Sequence, residues 1–384
     1  MSITAPKGFA AAGIAAGIKA SGKPDLALVI NEGPSNVAAG VFTSNRVKAA
    51  PVLWSQQVLK TQRLKAVILN SGGANACTGP DGFADTHKTA EKVADVLNIG
   101  AGEVAVCSTG LIGERLPLDK IITGIAAAAA VASDTGGADA AEAICTTDTV
   151  SKQAVVTSAA GWTVAGMAKG AGMLAPGLAT MLVVLTTDAD VEAATAESAL
   201  RDATRLTFDR LDSDGCMSTN DTVLLLASGA TGTTPAPAEF TAAVRAVCDD
   251  LAAQLMSDAE GATKDISIEV INAAKEDDAV EVGRSIARNN LLKCALFGND
   301  PNWGRVLAAI GTTKAAFEPD RLDVSMNGVQ ICRAGAAGDD RSLVDLTPRA
   351  VHILVDLHAG EASATIRTND LSHGYVEENS AYSS

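Results

Sequence analysis

Lys169-Gly-Ala-Gly-Met-Leu-Ala-Pro-Gly-Leu-Ala-Thr-Met-Leu-Val-Val-Leu185 lies near the middle of the 384-residue chain. Small or bend-prone residues (Gly172, Ala175, Pro176, Gly177, Ala179) lead into one hydroxyl residue, Thr180. That residue opens an apolar run predicted as a strand over 181–187. Backbone that bends freely ahead of a buried strand leaves a hydroxyl exposed at the strand's mouth, a placement that suits a nucleophile. A cut between Ala179 and Thr180 would set a free amine beside that hydroxyl. Thr paired with an N-terminal amine is a recognised way to activate a weak oxygen nucleophile.

Outward from this run, strand and helix signals alternate without internal repeats. Val/Ile/Leu-rich segments bounded by Gly, Asn or Ser predict strands at 26–30, 65–69, 104–107, 153–157, 163–168, 181–187 and 222–227. Helices are predicted over 84–97, 119–132, 191–206 and 238–256. The last is the clearest, with Phe240, Val244, Val247, Leu251 and Leu255 on one stripe at steps of three and four. Asn327-Gly328 predicts a type I′ hairpin within 322–332, because both residues accept positive φ. A second hairpin is predicted from 351–357 and 361–367. The chain therefore reads as mixed α/β with substantial antiparallel content, and its length implies more than one subdomain.

Composition narrows the function classes. Apolar residues make up 47% of the chain and aromatics only 3%, so the core must be Ala, Val, Leu and Ile. Thirty basic against 45 acidic residues give a net charge of −15, which argues against a nucleic-acid partner. The seven cysteines are scattered and lack C-x-x-C spacing, as expected of reduced, mostly buried thiols in a cytoplasmic protein. The N-terminus carries no signal pattern, and no apolar run reaches membrane-span length, so no membrane partner is expected.

Several motifs have a bland reading beside a functional one. Gly170-Ala-Gly-Met-Leu-Ala175 matches the dinucleotide pattern, but Pro176-Gly177 follows where a helix should open. The four histidines (87, 352, 358, 373) show no metal spacing, so neither a metal nor a Ser-His-Asp base is expected. Ser108-Thr109-Gly110 follows a predicted strand and reads either as a strand-ending turn or as an oxyanion site. Thr146-Thr147-Asp148-Thr149 either caps a turn or lines a pocket with hydroxyls. Lys169, in an otherwise apolar stretch, would serve an anionic substrate and lower the pKa of a neighbouring amine.

The run 169–182 resembles the self-processing junction of the ornithine acetyltransferase (glutamate N-acetyltransferase) family. Further blocks carry the resemblance in order along the chain: Gly40-Val-Phe-Thr-Ser-Asn-Arg46, Leu69-Asn-Ser-Gly-Gly-Ala-Asn-Ala-Cys-Thr-Gly79, Val106-Cys-Ser-Thr-Gly-Leu-Ile-Gly113 and Thr146-Thr-Asp-Thr149. Then come Phe208-Asp-Arg-Leu-Asp-Ser-Asp-Gly-Cys-Met-Ser-Thr-Asn-Asp221, Gly298-Asn-Asp-Pro-Asn-Trp-Gly-Arg305 and the tail Glu378-Asn-Ser-Ala-Tyr-Ser-Ser384. Gly73 departs from the pattern, where the family more often carries Asn.

The resemblance implies a layered α/β sandwich with largely antiparallel sheets and flanking helices. It implies self-cleavage between Ala179 and Thr180 into an α chain (1–179) and a β chain (180–384), joined as an α2β2 assembly. Thr180 is then the nucleophile, Thr109 and Gly110 the oxyanion donors, and N-acetylornithine and glutamate the substrates. Thr146, Lys169, Thr180, Glu260, Asn379 and Ser384 carry over as substrate contacts, although one sequence does not separate Thr146 from Thr147. No cofactor is implied, and acetyl-CoA stays open as an alternative acetyl donor. Two other readings are a related self-processing Thr amidase or aminopeptidase and a non-catalytic nucleotide-binding α/β protein.

Overall fold

A computed structural model describes residues 2–175 and 181–381. Ala179, Thr180 and Ser384, all named above, lie outside the described residues. Strands and helices are numbered along the chain. The first part contains β1 (Phe9–Ile14), β2 (Leu26–Asn31), β3 (Val37–Phe42), α1 (Ala50–Val58), β4 (Ala66–Ser71), α2 (Gly79–Leu97), β5 (Val104–Thr109), α3 (Leu118–Val131), α4 (Gly137–Ala143), β6 (Lys152–Thr157) and β7 (Thr163–Lys169). Then follow β8 (Leu182–Thr187), α5 (Ala193–Leu206), β9 (Thr222–Ala227), α6 (Pro237–Ser257), β10 (Asp265–Ala273), α7 (Glu276–Ala287), α8 (Asn290–Phe297) and α9 (Trp303–Ile310). The last part holds β11 (Asp323–Met326), β12 (Val329–Arg333), β13 (Ala336–Ala337), β14 (Ala350–Asp356), β15 (Ala362–Asn369) and α10 (His373–Ala381).

Two sheets, ordered β1-β2-β4-β5 and β3-β9-β8-β7-β6, pack face to face. Period-two alternation explains how β8 serves two cores at once. Leu182 and Val184 meet Val67, Leu69 and Cys107 of the first sheet, while Val183 and Leu185 turn to α5 and α6. Such a strand is buried on both faces, which is why its sequence reads as an unbroken apolar run. Helices α2 and α3 cover the outer face of the first sheet through Val93, Ile121 and Ile125. The result is four layers, helix–sheet–sheet–helix. A third sheet, β13-β12-β11-β14-β10-β15, has its own core with α7, α8 and α9. Mixed, largely antiparallel sheets with flanking helices and more than one subdomain are thus what the chain forms. Among the described strands, the parallel pairs are β4/β5, β8/β9 and β10/β14.

All the predicted strands between 26 and 227 form, and α6 buries its whole stripe from Phe240 to Leu255. Asn327 and Gly328 take positive φ (44° and 85°) and join β11 to β12. The second predicted hairpin is wrong. β14 and β15 do not pair with each other, because β10 lies between them, parallel to β14 and antiparallel to β15. Ile266, Ile268 and Val270 of β10 alternate into the core, so a strand from far upstream satisfies both ladders. β1 and β3 were not foreseen, since their Ala- and Gly-rich sequences carry little strand propensity.

In chain order, the division between residues 179 and 180 falls among the strands of the second sheet rather than between folding units. β3, β6 and β7 precede it; β8 and β9 follow it. β7 and β8 pair antiparallel, with Lys169 opposite Leu182, so the segment 170–181 connects neighbouring central strands.

Candidate active site

One concave site is lined by Thr109, Gly110, Thr146, Thr147, Lys169, Glu260 and Asn379, together with Ala74, Ile112, Gly172, Met173, Ser218, Thr219 and Asn220. Every predicted contact that lies within the described residues reaches this one place. The elements that bring them are distant in sequence: the ends of β5 and β7, the turn before β6, the turn after α6, and α10.

Backbone builds the first end. β5 finishes at Thr109, and Gly110 then takes φ +131°. A Cβ at Gly110 would stand 2.5 Å from Gly73 N and 2.8 Å from the Gly72 carbonyl carbon, so only glycine fits. The Gly72 and Gly73 N–H groups donate to Thr109 O at 2.9 and 3.0 Å. The Asn220 amide donates to Ala74 O at 2.6 Å and Ser108 O at 2.8 Å, tying both sides of the corner together. Ser108 donates to Asn70 Oδ1 at 2.6 Å, and Asn70 donates to Gly73 O at 3.1 Å. Among the described residues neither the Thr109 hydroxyl nor the Gly110 N–H has a hydrogen-bond partner. Two donors at the cavity wall, held still by their neighbours, are what an oxyanion site requires.

Charge builds the second end. Lys169, only 2% exposed, has its Nζ 3.8 Å from Asp148 Oδ2. Asp148 organises the surroundings. Its Oδ1 accepts from Lys152 Nζ at 2.7 Å and from the Gly170 N–H at 2.6 Å, and its Oδ2 accepts from the Thr146 N–H at 2.9 Å. Lys152, fully buried, also pairs with Asp258 at 2.6 Å. Burial pushes the Asp148 carboxyl up, but Lys169, Lys152 and the Gly170 N–H outweigh it and hold it well below the usual carboxylate range. Glu260 faces the cavity from another side. Its N–H donates to Ala171 O at 3.0 Å, and its Oε2 accepts from Asn379 Nδ2 at 3.0 Å. A Cβ on Gly172 would come within 2.5 Å of that Oε2, so glycine leaves the room the carboxylate occupies.

Other candidates fall away from this site. After β7, residues 171–173 form bends, and the helix a dinucleotide fingerprint needs does not open among the described residues 170–175. His352 and His358 pair with Glu269 and Asp323, each at 2.9 Å, His87 pairs with Glu91, and His373 packs against the Phe297 ring. Cys107, Cys145, Cys248 and Cys332 are buried, while Cys77, Cys216 and Cys294 are exposed. Among the described residues no helix is long and apolar enough to cross a membrane, and no acidic, His or Cys cluster has metal-binding geometry.

Sequence reasoning missed Asn220 and gave no role to Asp148 within Thr146–Thr149. Both sit in polar runs ahead of apolar strands, β9 and β6, and that abrupt switch is the signal that could have singled them out.

The ArgJ family profile matches residues 10–384. The arginine biosynthesis bifunctional protein ArgJ of Streptomyces coelicolor is 71% identical over 384 residues, covering 100% of both chains. That of Mycobacterium tuberculosis is 62% identical over 389 residues, covering 100% of this chain and 96% of its own. A crystallised ornithine acetyltransferase from Mycobacterium tuberculosis, complexed with ornithine, is 63% identical with a TM-score of 0.46. The match spans 47% of this chain and 96% of that one.

Proposed function

This chain belongs to the ArgJ family, and on that premise we propose that it transfers the acetyl group of N-acetylornithine to glutamate through an ester on Thr180, an arginine-biosynthetic reaction. The observation that carries the reading is the convergence of Thr109 and Gly110, whose Oγ1 and N–H have no partner among the described residues, with Lys169 and Glu260 on one cavity.

The chain first cuts itself. The Thr180 hydroxyl oxygen attacks the Ala179 carbonyl carbon, the C–N bond breaks, and the Thr180 nitrogen leaves as an amine carrying the proton the hydroxyl gave up. Water then hydrolyses the ester, yielding a carboxylate at Ala179 and a free hydroxyl and amine at Thr180. The antiparallel pairing of β7 with β8 would then hold both fragments in one sheet.

In turnover the α-amine, with an ordinary pKa of about 8, takes the hydroxyl proton as Thr180 attacks the acetyl carbonyl. Thr109 and Gly110 donate to the tetrahedral oxygen, and ornithine leaves with the returned proton. Glutamate's amine then attacks the acetyl ester by the reverse path, which gives ping-pong kinetics. Lys169 receives a substrate carboxylate and Glu260 the ornithine ammonium, with Thr146, Asn379 and Ser384 completing the contacts.

A denaturing gel with N-terminal sequencing tests the cut. Fragments of 179 and 205 residues (384 − 179 = 205) are expected, the second beginning at Thr180, whereas Thr180→Ala stays whole and inactive. Incubation with N-acetylornithine and glutamate should give N-acetylglutamate. Release of free acetate alone would instead make the protein a hydrolase. The same assay with acetyl-CoA decides the second donor.

A further inference from the structure

Asp221 stands immediately before β9 and is fully buried. Its Oδ1 accepts the Met181 N–H at 3.0 Å, and the next residue, Thr222, donates its N–H to Met181 O at 3.1 Å. Both backbone polar groups of Met181 are therefore held by two consecutive residues. Met181 directly follows Thr180. On the other side of Asp221, Asn220 holds Ala74 O and Ser108 O, the two flanks of the Thr109–Gly110 corner. A single tripeptide, Asn220-Asp221-Thr222, thus grips the oxyanion corner with one residue and the amide after Thr180 with the next two.

Among the described residues the second carboxyl oxygen, Oδ2, is buried and has no partner at hydrogen-bond geometry, although the Ser218 and Thr43 hydroxyls lie near the carboxyl. An acceptor for Met181 alone does not need a carboxyl, and burying an unpaired polar oxygen is costly. Burial pushes this carboxyl well above the usual range, while the Met181 N–H, the Ser218 and Thr43 hydroxyls and the Lys169 charge pull the other way. The neutral acid that burial favours keeps an acceptor on the Met181 N–H without leaving a bare negative charge in this buried position.

We propose that Asp221 is a positioning residue for Thr180, fixing through the Met181 N–H the backbone that follows the nucleophile at a set distance from the Thr109–Gly110 donors. This rests on the reading of Thr180 as nucleophile. Attack geometry tolerates little displacement, and a 1 Å error costs about a hundredfold in rate. The same residue should matter to both reactions of Thr180, the self-cut and the acetyl transfer.

The test compares Asp221→Ala and Asp221→Asn in the whole chain, with melting curves to establish folding. Asp221→Ala should slow the self-cut and lower kcat by about a hundredfold, with KM for N-acetylornithine within about twofold, because the binding groups are untouched. Asp221→Asn keeps a neutral acceptor for Met181 and should recover both rates to within about fivefold of wild type. Burst titration of the acetyl-enzyme separates slow active sites from missing ones, since a packing defect would lower the count instead of the rate. Wild-type rates in Asp221→Ala overturn the proposal. So does a folded Asp221→Asn protein that is a hundredfold slow, whether or not the alanine variant folds. Failure of the nucleophile reading would show separately, as a Thr180→Ala protein that still cuts or turns over.

Discussion

At the Thr109–Gly110 end of the site the residues that line the cavity are fixed by backbone. Carbonyls and N–H groups of residues 72–74 and 108–109 bind one another directly or through the Asn220 and Asn70 amides. At the Lys169–Glu260 end, side-chain charges hold one another, with Asp148 shared between two lysines and Glu260 bound by Asn379. Donors on stiff backbone act only where the transition-state oxygen appears, so they serve kcat. Charges that meet the substrate in its ground state serve KM and the choice between substrates. If this division is right, damage at the first end should be severe and indifferent to substrate, whereas damage at the second should be graded and selective.

Gly110→Ala is the harshest way to break the comparison. The new Cβ would collide with Gly72 and Gly73, and φ +131° suits no side chain. The corner must shift, misplacing the Gly110 N–H. Loss of an oxyanion donor costs about a hundred- to a thousandfold in kcat. Single-turnover acetylation of Thr180 should slow by that factor with N-acetylornithine and, in reverse, with N-acetylglutamate. A variant that slows with one donor only would mean this corner also selects.

Asp148→Asn attacks the second end at its hub. Lys152 would retain Asp258, but Lys169 would lose its only ion pair among the described residues. Breaking a buried pair typically costs about 3–5 kcal/mol, and the retained partner places this variant near the low end, at about 3. The sign of the pH dependence follows from the depressed carboxyl. Its folded-state value lies below its ordinary one, so the stability it contributes is present above the ordinary carboxylate range and is lost as pH falls through the folded value. Denaturant midpoints of wild type and variant should differ most near neutral pH and converge in strong acid. A gap independent of pH would remove the ionised Asp148 from the account.

Glu260→Gln sharpens the contrast between substrates. The amide keeps shape but gives up the charge expected to meet the ornithine ammonium. kcat/KM for N-acetylornithine should fall about tenfold or more, while the glutamate half-reaction changes by less than about threefold. Equal loss in both would sink the assignment of Glu260 to the ammonium.

How much of this was legible in the sequence follows the same division. Thr109-Gly110 could be read because a strand end followed by glycine is a local event, and the central strands could be read because burial on both faces leaves unbroken apolar runs. The roles of Asp148 and Asn220 could not. Asp148 matters through Lys152, Lys169 and Thr146, and Asn220 through carbonyls more than 100 residues away in the chain. No periodicity encodes such contacts. The 351–367 hairpin failed for the related reason that β10 competes for both ladders from outside the local window. Lys169 and Glu260 were assigned by resemblance and by charge, and their meeting on one cavity depends on the way β7 and the α6 turn close over it.

Asn379→Ala should be the mildest break. Asn379 gives one hydrogen bond to Glu260 Oε2 at 3.0 Å and another to Tyr375 O at 3.0 Å, the second within its own helix turn. Losing a single bond of this kind costs about 0.5–1.5 kcal/mol, which corresponds to roughly two- to tenfold in KM for N-acetylornithine with kcat nearly unchanged. Asn379→Asp separates two explanations of that loss. If the amide matters because it donates to Glu260, a carboxylate in its place repels Glu260 and must be worse than alanine. If it matters only as bulk that closes the cavity, the nearly isosteric aspartate should perform like wild type. The first outcome would make even the weakest contact at this end electrostatic, unlike anything holding Gly110.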